Sequence, residues 1–234
     1  MTLLETKGLT RHFGGLTAVN TVDFELSTGE VHALIGPNGA GKSTFVGMVA
    51  GRIPASSGEV WFDGTDVTSL PAHARIRRGM AYTFQITAIY ARLSLFDNVA
   101  LALRKRSGSD VLAILDRVGL ADRADQMAGD LAYGHQRLLE IAMGVAQDPR
   151  LLILDEPTQG LAESEIEGFN ALISKLKKET TILLIEHNMN VVMALADVIT
   201  VLDTGRVLAT GTPDAIRADR GVQEAYLGTA DAED

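Results

Sequence analysis

The sequence predicts an α/β fold: a mainly parallel sheet with crossover helices, an antiparallel β subdomain at the N-terminus and an inserted α-helical subdomain. Three observations lead there. Beyond the first third of the chain, the short apolar runs "MAYTF", "LLILD", "TILLI" and "VITVL" are separated by helical stretches, the alternation of a parallel sheet covered by helices. The first third reads differently. "LLETKGLT", "AVNTVDFEL" with Val22, Phe24 and Leu26 alternating, and "EVWFDG" closed by glycines have the pattern of antiparallel strands. From about residue 88 to 147 the pattern is almost wholly helical, including "DVLAILDRVGL" and "QRLLEIAMGVAQ", and it falls between core strands. With 234 residues, one core carrying an inserted subdomain fits better than two independent domains. A single domain over 1–234 is expected, with about 88–147 as the helical subdomain and about 205–234 as a C-terminal extension.

The apolar run "VHALI" (Val31 to Ile35) ends at Gly36 and is followed by "GPNGAGKST". Gly36, Gly41, Lys42 and Ser43 fill the fixed places of G-x-x-x-x-G-K-[ST], and Pro37, Asn38, Gly39, Ala40 and Thr44 complete the stretch. Chance produces such a match on the order of once in a hundred chains of this length, so context decides. "STFVGMVAG" supplies that context, with Phe45, Met48 and Val49 at helical spacing. Strand, glycine loop and helix make a phosphate cradle. Glycines let several N–H groups converge on one anion, the helix adds its positive end, and Lys42 adds a full charge. Ser43 would place a hydroxyl on Mg2+. A phosphate-facing Lys42 is expected to stand in solvent without ligand.

A second stretch, "LLILDEPTQG" (Leu151 to Gly160), puts two carboxylates after four apolar residues. A buried parallel strand ending in Asp155 is where a P-loop enzyme holds its magnesium. Glu156 lies past the strand end, within reach of a water aligned on a γ-phosphate as general base.

Composition excludes several classes. No cysteine is present, which removes disulfides and thiolate metal sites. The opening "MTLLETKGLT" joins no basic segment to an apolar core and no apolar run approaches a membrane span, so an unexported protein without spanning helices is expected. The net charge of −9 argues against a general nucleic-acid surface. The basic clusters Arg75 to Arg78 and Arg104 to Arg106 are short and read as solvated helix faces.

With the phosphate loop and the strand carboxylates in view, the chain resembles the ATP-binding subunits of ATP-binding cassette transporters over nearly its whole length. Five further stretches occur in that family's order. "RHFGG" is similar to the adenine-stacking loop, with Phe13 as platform, and "TFQ" resembles the segment ending in the family's glutamine, here Gln85, a ligand for magnesium or water. "LAYGHQRLLEIA" resembles the signature helix start, with Gly134 and Gln136 at matching places, Tyr133 before them and His135 between them. "QGLA" occupies the loop after the carboxylates, and "LLIEHNM" presents His187 as the switch histidine. The resemblance implies ATP and Mg2+ as cofactors, and catalysis by Glu156 and His187. It also implies a head-to-tail pair in which Gly134 meets ATP held by a second ATPase subunit, the same chain or a related one. Membrane permease subunits, and indirectly a substrate-binding protein, are the implied partners, at the cytoplasmic face of the plasma membrane.

Two departures stand out. The widespread signature is Leu-Ser-Gly-Gly-Gln, whereas Tyr133 replaces the serine and His135 the second glycine; Ala162 replaces an Asp common in the loop after the catalytic glutamate. "AYGHQR", "LLIEHNM" and the ending "GTPDAIRADRGVQEAYLG" are most similar to the importer subfamily for branched-chain amino acids and related amides or urea. A soluble cassette ATPase is the alternative. It usually carries two cassettes or a long coiled coil, for which this chain has no room. A GTPase fits worse, because no Asn-Lys-x-Asp guanine motif is present.

Overall fold

The computed structural model describes residues 1–83, 88–103 and 108–230. The chain opens with a hairpin, β1 (Thr2–Phe13) and β2 (Leu16–Ser27), and then runs through β3 (Val31–Ile35) into α1 (Lys42–Val49). β4 (Ser57–Phe62) and β5 (Thr65–Asp66) return to the hairpin, completing an antiparallel sheet ordered β2-β1-β4-β5. After α2 (Ala72–Arg77) and β6 (Met80–Thr83) come α3 (Leu95–Ala102), α4 (Gly108–Arg117) and α5 (Tyr133–Val145), all before β7 (Leu151–Asp155). The last part alternates α6 (Glu163–Leu176), β8 (Thr181–Ile185), α7 (Met189–Leu195), β9 (Val198–Asp203) and β10 (Arg206–Gly211), and ends in α8 (Pro213–Ala218) and α9 (Arg220–Ala230). The second sheet is ordered β10-β9-β3-β8-β7-β6. It is parallel throughout except for β10, which pairs antiparallel with β9. The α/β class, the mainly parallel sheet and the antiparallel N-terminal strands are as expected.

Every residue of β3, β7 and β8 is buried, as strands covered on both faces must be. The two-residue period divides their side chains cleanly. Leu34, Ile153, Leu183 and Ile185 pack with Phe45 and Met48 of α1 and with Leu4, Phe24 and Leu26 of the antiparallel sheet. Val31, Leu152, Leu154, Ile182 and Leu184 face the other way, onto Leu95, Val99, Leu115, Leu139 and Phe169 of the helices. Local signals start several helices: the Ser94 hydroxyl accepts from the Asp97 N–H at 3.0 Å, Asn188 accepts from Asn190 and Val191, and Thr212 precedes Pro213.

The basic cluster at Arg75 departs from expectation. Arg77 and Arg78 are exposed, but Arg75 is only 2% exposed. Its guanidinium donates to the carbonyls of Met48 and Val49 at the end of α1 (2.8 and 2.6 Å) and to those of Thr68 and Leu70 (2.9 Å each). The bonds to Met48 and Val49 are buried and those to Thr68 and Leu70 partly so, and one planar five-donor group serves all four carbonyls. Burial pushes the Arg75 pKa down to about 10, which leaves it charged at neutral pH. Arg104 to Arg106 lie outside the described residues.

Arg75 therefore holds the far end of the helix that follows the glycine loop. Arg75→Leu should cost about 3 kcal/mol by orphaning buried carbonyls, which corresponds to a fall in Tm of about 6–12 °C for a chain of this size. Arg78→Ala, at an exposed position, should stay within about 0.5 kcal/mol. Thermal unfolding of the two variants checks the contrast.

Candidate functional site

The loop between β3 and α1 folds back under its own helix, and glycine is required at both ends of it. A Cβ on Gly36 (φ +150°) would sit 2.1 Å from the Leu202 carbonyl oxygen, and one on Gly41 (φ +100°) 2.3 Å from that of Ala18. Gly41 is also the N-cap of α1, and among the described residues no side chain caps the first turn of that helix. The uncapped N–H groups and the helix dipole point into a cleft of about 600 Å³ lined by Phe13, Thr17, Asn38, Lys42, Glu156 and Gly205, among others.

Lys42 corrects the sequence reading. It is 8% exposed, and its ammonium donates to the carbonyls of Gly36 (2.7 Å) and Pro37 (3.0 Å), so it does not stand in solvent. Burial lowers its pKa, and Glu156 and Asp155 oppose that shift. The lysine is held on the loop's own carbonyl oxygens.

Across the cleft, Phe13 ends β1 and is 45% exposed. The Arg11 guanidinium lies 4.5 Å from its ring centroid, so one face carries a cation and the other is left for a flat apolar group. Ser43 and Thr44 stand at the start of α1, with Ser43 exposed. Asp155 closes β7, and the Tyr82 hydroxyl of neighbouring β6 donates to it. Burial raises the Asp155 pKa; the Tyr82 hydrogen bond opposes the rise and Glu156 adds to it. The Tyr82 phenol is pushed up in turn, by burial and by the carboxylate it serves. Glu156 has left-handed backbone (φ +48°), which turns it out of the strand line, and its carboxylate is 4.0 Å from Nδ1 of His187, whose side chain is 56% exposed. Among the described residues, no three His, Cys, Asp or Glu side chains form a metal-binding group. Ser43 and Asp155 offer a hydroxyl and a carboxylate, an oxygen set that suits Mg2+ completed by phosphate and water.

The residues of the expected signature stand elsewhere. Tyr133, Gly134, His135 and Gln136 form the first turn of α5 and are absent from the lining of the cleft. Gly134 is buried against α6, where a Cβ would meet Glu165 Oε1 at 2.2 Å. The Gln136 amide donates to the Leu131 carbonyl at 3.1 Å, Tyr133 lies under the Arg137 guanidinium, and Nδ1 of His135 is buried without a hydrogen-bond partner. Gln85 lies outside the described residues. No described helix is long and apolar enough to cross a membrane.

A family profile described as "ABC transporter" matches residues 19–159, which contain the glycine loop, the first turn of α5 and both carboxylates. The chain belongs to the ABC transporter family. It is an ATP-binding cassette, a nucleotide-binding ATPase. A second profile, "Branched-chain amino acid ATP-binding cassette transporter", matches residues 206–232 of the cassette. The high-affinity branched-chain amino acid transport ATP-binding protein BraF of Pseudomonas aeruginosa is 39% identical, over 97% of this chain and 98% of BraF. The lipopolysaccharide export system ATP-binding protein LptB of Escherichia coli is 33% identical, with the same coverage. Among solved structures, the ADP conformation of MJ1267, an ATP-binding cassette of an ABC transporter, superposes with a TM-score of 0.90 at 26% identity, covering 97% of this chain and 99% of that one.

Sequence reasoning missed Tyr82, Lys42's stored position and Glu186. Glu186 follows β8 immediately and is fully buried.

The raised pKa of Asp155 has a thermodynamic consequence. A carboxyl that binds its proton more tightly when folded contributes stability below its unfolded pKa, and loses it as pH rises through the folded value. At neutral pH the ionised Asp155 therefore costs stability. Asp155→Asn keeps an acceptor for Tyr82 and removes that cost, so its Tm should exceed the parent's at pH 7–8, by about 2–4 °C for each kcal/mol recovered. The advantage should shrink toward pH 4. Thermal scans across pH check both sign and trend; a lower Tm at pH 7 would contradict it.

Proposed function

We propose that this cassette is the ATP-hydrolysing subunit of an importer for branched-chain amino acids or related small amides, working as a head-to-tail pair with ATP at the interface. The observation that carries the reading is the division of the site. The cleft gathers Phe13, the glycine loop and Glu156, while residues 133–136 open a different helix outside it. A second subunit, identical or related, would bring its own α5 over the cleft, with Gly134 and the first-turn N–H groups facing the γ-phosphate. Tyr133, His135 and Gln136 would flank that contact in place of the commoner serine and glycine. The importer assignment rests on the profile at residues 206–232 and the similarity to BraF. LptB, which belongs to an export system, is 33% identical, so identity at that level does not by itself separate import from export.

The residues take separable tasks. Phe13 would stack on the adenine through its open face. Lys42 would exchange the Gly36 and Pro37 carbonyls for phosphate oxygens, beside the backbone N–H groups from Asn38 to Thr44. Ser43, Asp155 and Gln85 would hold Mg2+, which supplies neutralisation of the charge on the phosphoryl oxygens. Glu156 would accept the proton of the attacking water, and His187 would hydrogen-bond the γ-phosphate and register its loss. Gln85, between β6 and the helices before β7, would link ATP state to permease subunits at the cytoplasmic face of the membrane. The negative net charge argues for protein and not nucleic-acid partners.

Glu156→Gln tests the site. The amide keeps the shape but cannot take the proton, so hydrolysis should fall by about 10²–10⁴-fold while nucleotide binding persists. ATP should then accumulate a closed pair, seen by light scattering with Mg2+ and ATP on the chain alone and with a partner cassette. Near-normal turnover removes Glu156 from catalysis; slow turnover without a pair in either mixture removes the shared site. For the importer reading, ATPase activity in proteoliposomes with the permease subunits should rise on adding binding protein loaded with leucine, isoleucine or valine. Unregulated full activity of the isolated chain would favour a free-standing ATPase.

A further inference from the structure

The carboxylate of Glu186 is fully buried one residue before His187, and both of its oxygens are used. Oε1 accepts the Thr158 N–H at 3.0 Å and also the Thr158 hydroxyl; Oε2 accepts the N–H groups of His187 at 2.9 Å and Asn188 at 3.0 Å. These four donors belong to two different loops. Thr158 lies two residues after Glu156, in the turn that leaves β7, whereas His187 and Asn188 form the turn between β8 and α7. Nearby, the Glu156 N–H donates to the Ile185 carbonyl at 2.9 Å, extending the β7–β8 ladder by one step. Beyond that bond, the Glu186 side chain is the next link between the loops.

We propose that Glu186 is a positioning residue for ATP hydrolysis: by tying Thr158 to the His187 backbone, it sets the placement of Glu156 relative to His187. The inference rests on the roles given to those two residues above. Two features favour it over a bystander carboxylate. Glu156 has left-handed backbone, which a non-glycine residue keeps only when its surroundings over-determine it, and the Thr158 anchor two residues on is such a constraint. His187 has a largely exposed side chain 4.0 Å from Glu156, so its direction depends on its backbone, which Glu186 holds. An acceptor-only group suits four converging donors; an amide in its place would turn an NH2 toward two of them.

The test uses Glu186→Gln, with Thr158→Val as a gentler second variant that loses the hydroxyl but keeps the N–H. ATP kcat and KM, nucleotide Kd, and the His187 ring signal in histidine-labelled NMR are measured for both; His187→Gln assigns that signal among the five histidines. Glu186→Gln should lower kcat about 10- to 100-fold, the scale of a misplacement near 1 Å. Nucleotide Kd should stay within about twofold and the His187 signal should move, a split that loss of general stability would not produce. Thr158→Val should act in the same direction but less, and the double variant should be no worse than Glu186→Gln alone, because both cut one tie. If Glu186→Gln does not fold, Thr158→Val decides. A kcat within twofold of the parent, or an unmoved His187 signal, overturns the proposal. Normal turnover in Glu156→Gln would instead sink the base assignment beneath it, and the two failures are read from different variants.

Discussion

The site depends on three strands, β3, β7 and β8, that are buried on both faces. The polar side chains within β3 and β8, His32 and Thr181, are engaged by Thr200 and the Gly29 N–H, so the groups that can meet a ligand stand at the carboxyl ends, from Asp155 onward. There the glycine loop, the Asp155–Glu156 pair and the Glu186–His187 pair emerge side by side, because parallel pairing puts all three ends on one edge. Register then fixes who meets whom. Asp155 aligns with Ile185, so Glu156 and Glu186 leave equivalent points of neighbouring strands.

What was legible in the sequence was whatever is encoded over a short span. The phosphate loop, the strand ending in Asp155, the hairpin strands and the histidine after "TILLI" each carry their signal within about ten residues, and each stands where that signal put it. What was not legible depends on partners distant in the chain. Arg75 sits in a basic run that reads as a wet helix face, and only the fold brings the end of α1 against it. Lys42 has the expected identity but an unexpected posture, since the Gly36 and Pro37 carbonyls reach it only once the loop is curled. Glu186 looks like one more acidic residue beside a histidine until the turn after β7, 28 positions back, supplies two donors.

Buried polar groups of this kind share a logic. Each is costly unless satisfied, and each is satisfied across separate elements, so each acts as a joint: Arg75 between α1 and the segment before α2, Tyr82 and Asp155 between β6 and β7, Glu186 between two loops. Tyr82–Asp155 and Glu186 stand at the carboxyl ends of the strands, whereas Arg75 holds the end of α1 farthest from the glycine loop. Apolar packing makes the two faces of the sheet; polar joints fix the edge where catalysis is assigned.

The cleft has one more wall, and it comes from far along the chain. The Gly205 N–H donates to the Ala40 carbonyl at 3.0 Å, and the Gly205 carbonyl accepts from Asn20 at 2.7 Å, so the turn between β9 and β10 braces the glycine loop against β2. During synthesis from the N-terminus, the loop is made early and its brace late. A nascent chain therefore carries the complete phosphate motif long before the surface that steadies it exists. If the brace is what steadies the phosphate loop, ATP would bind and stabilise the folded cassette in preference to its growing fragments.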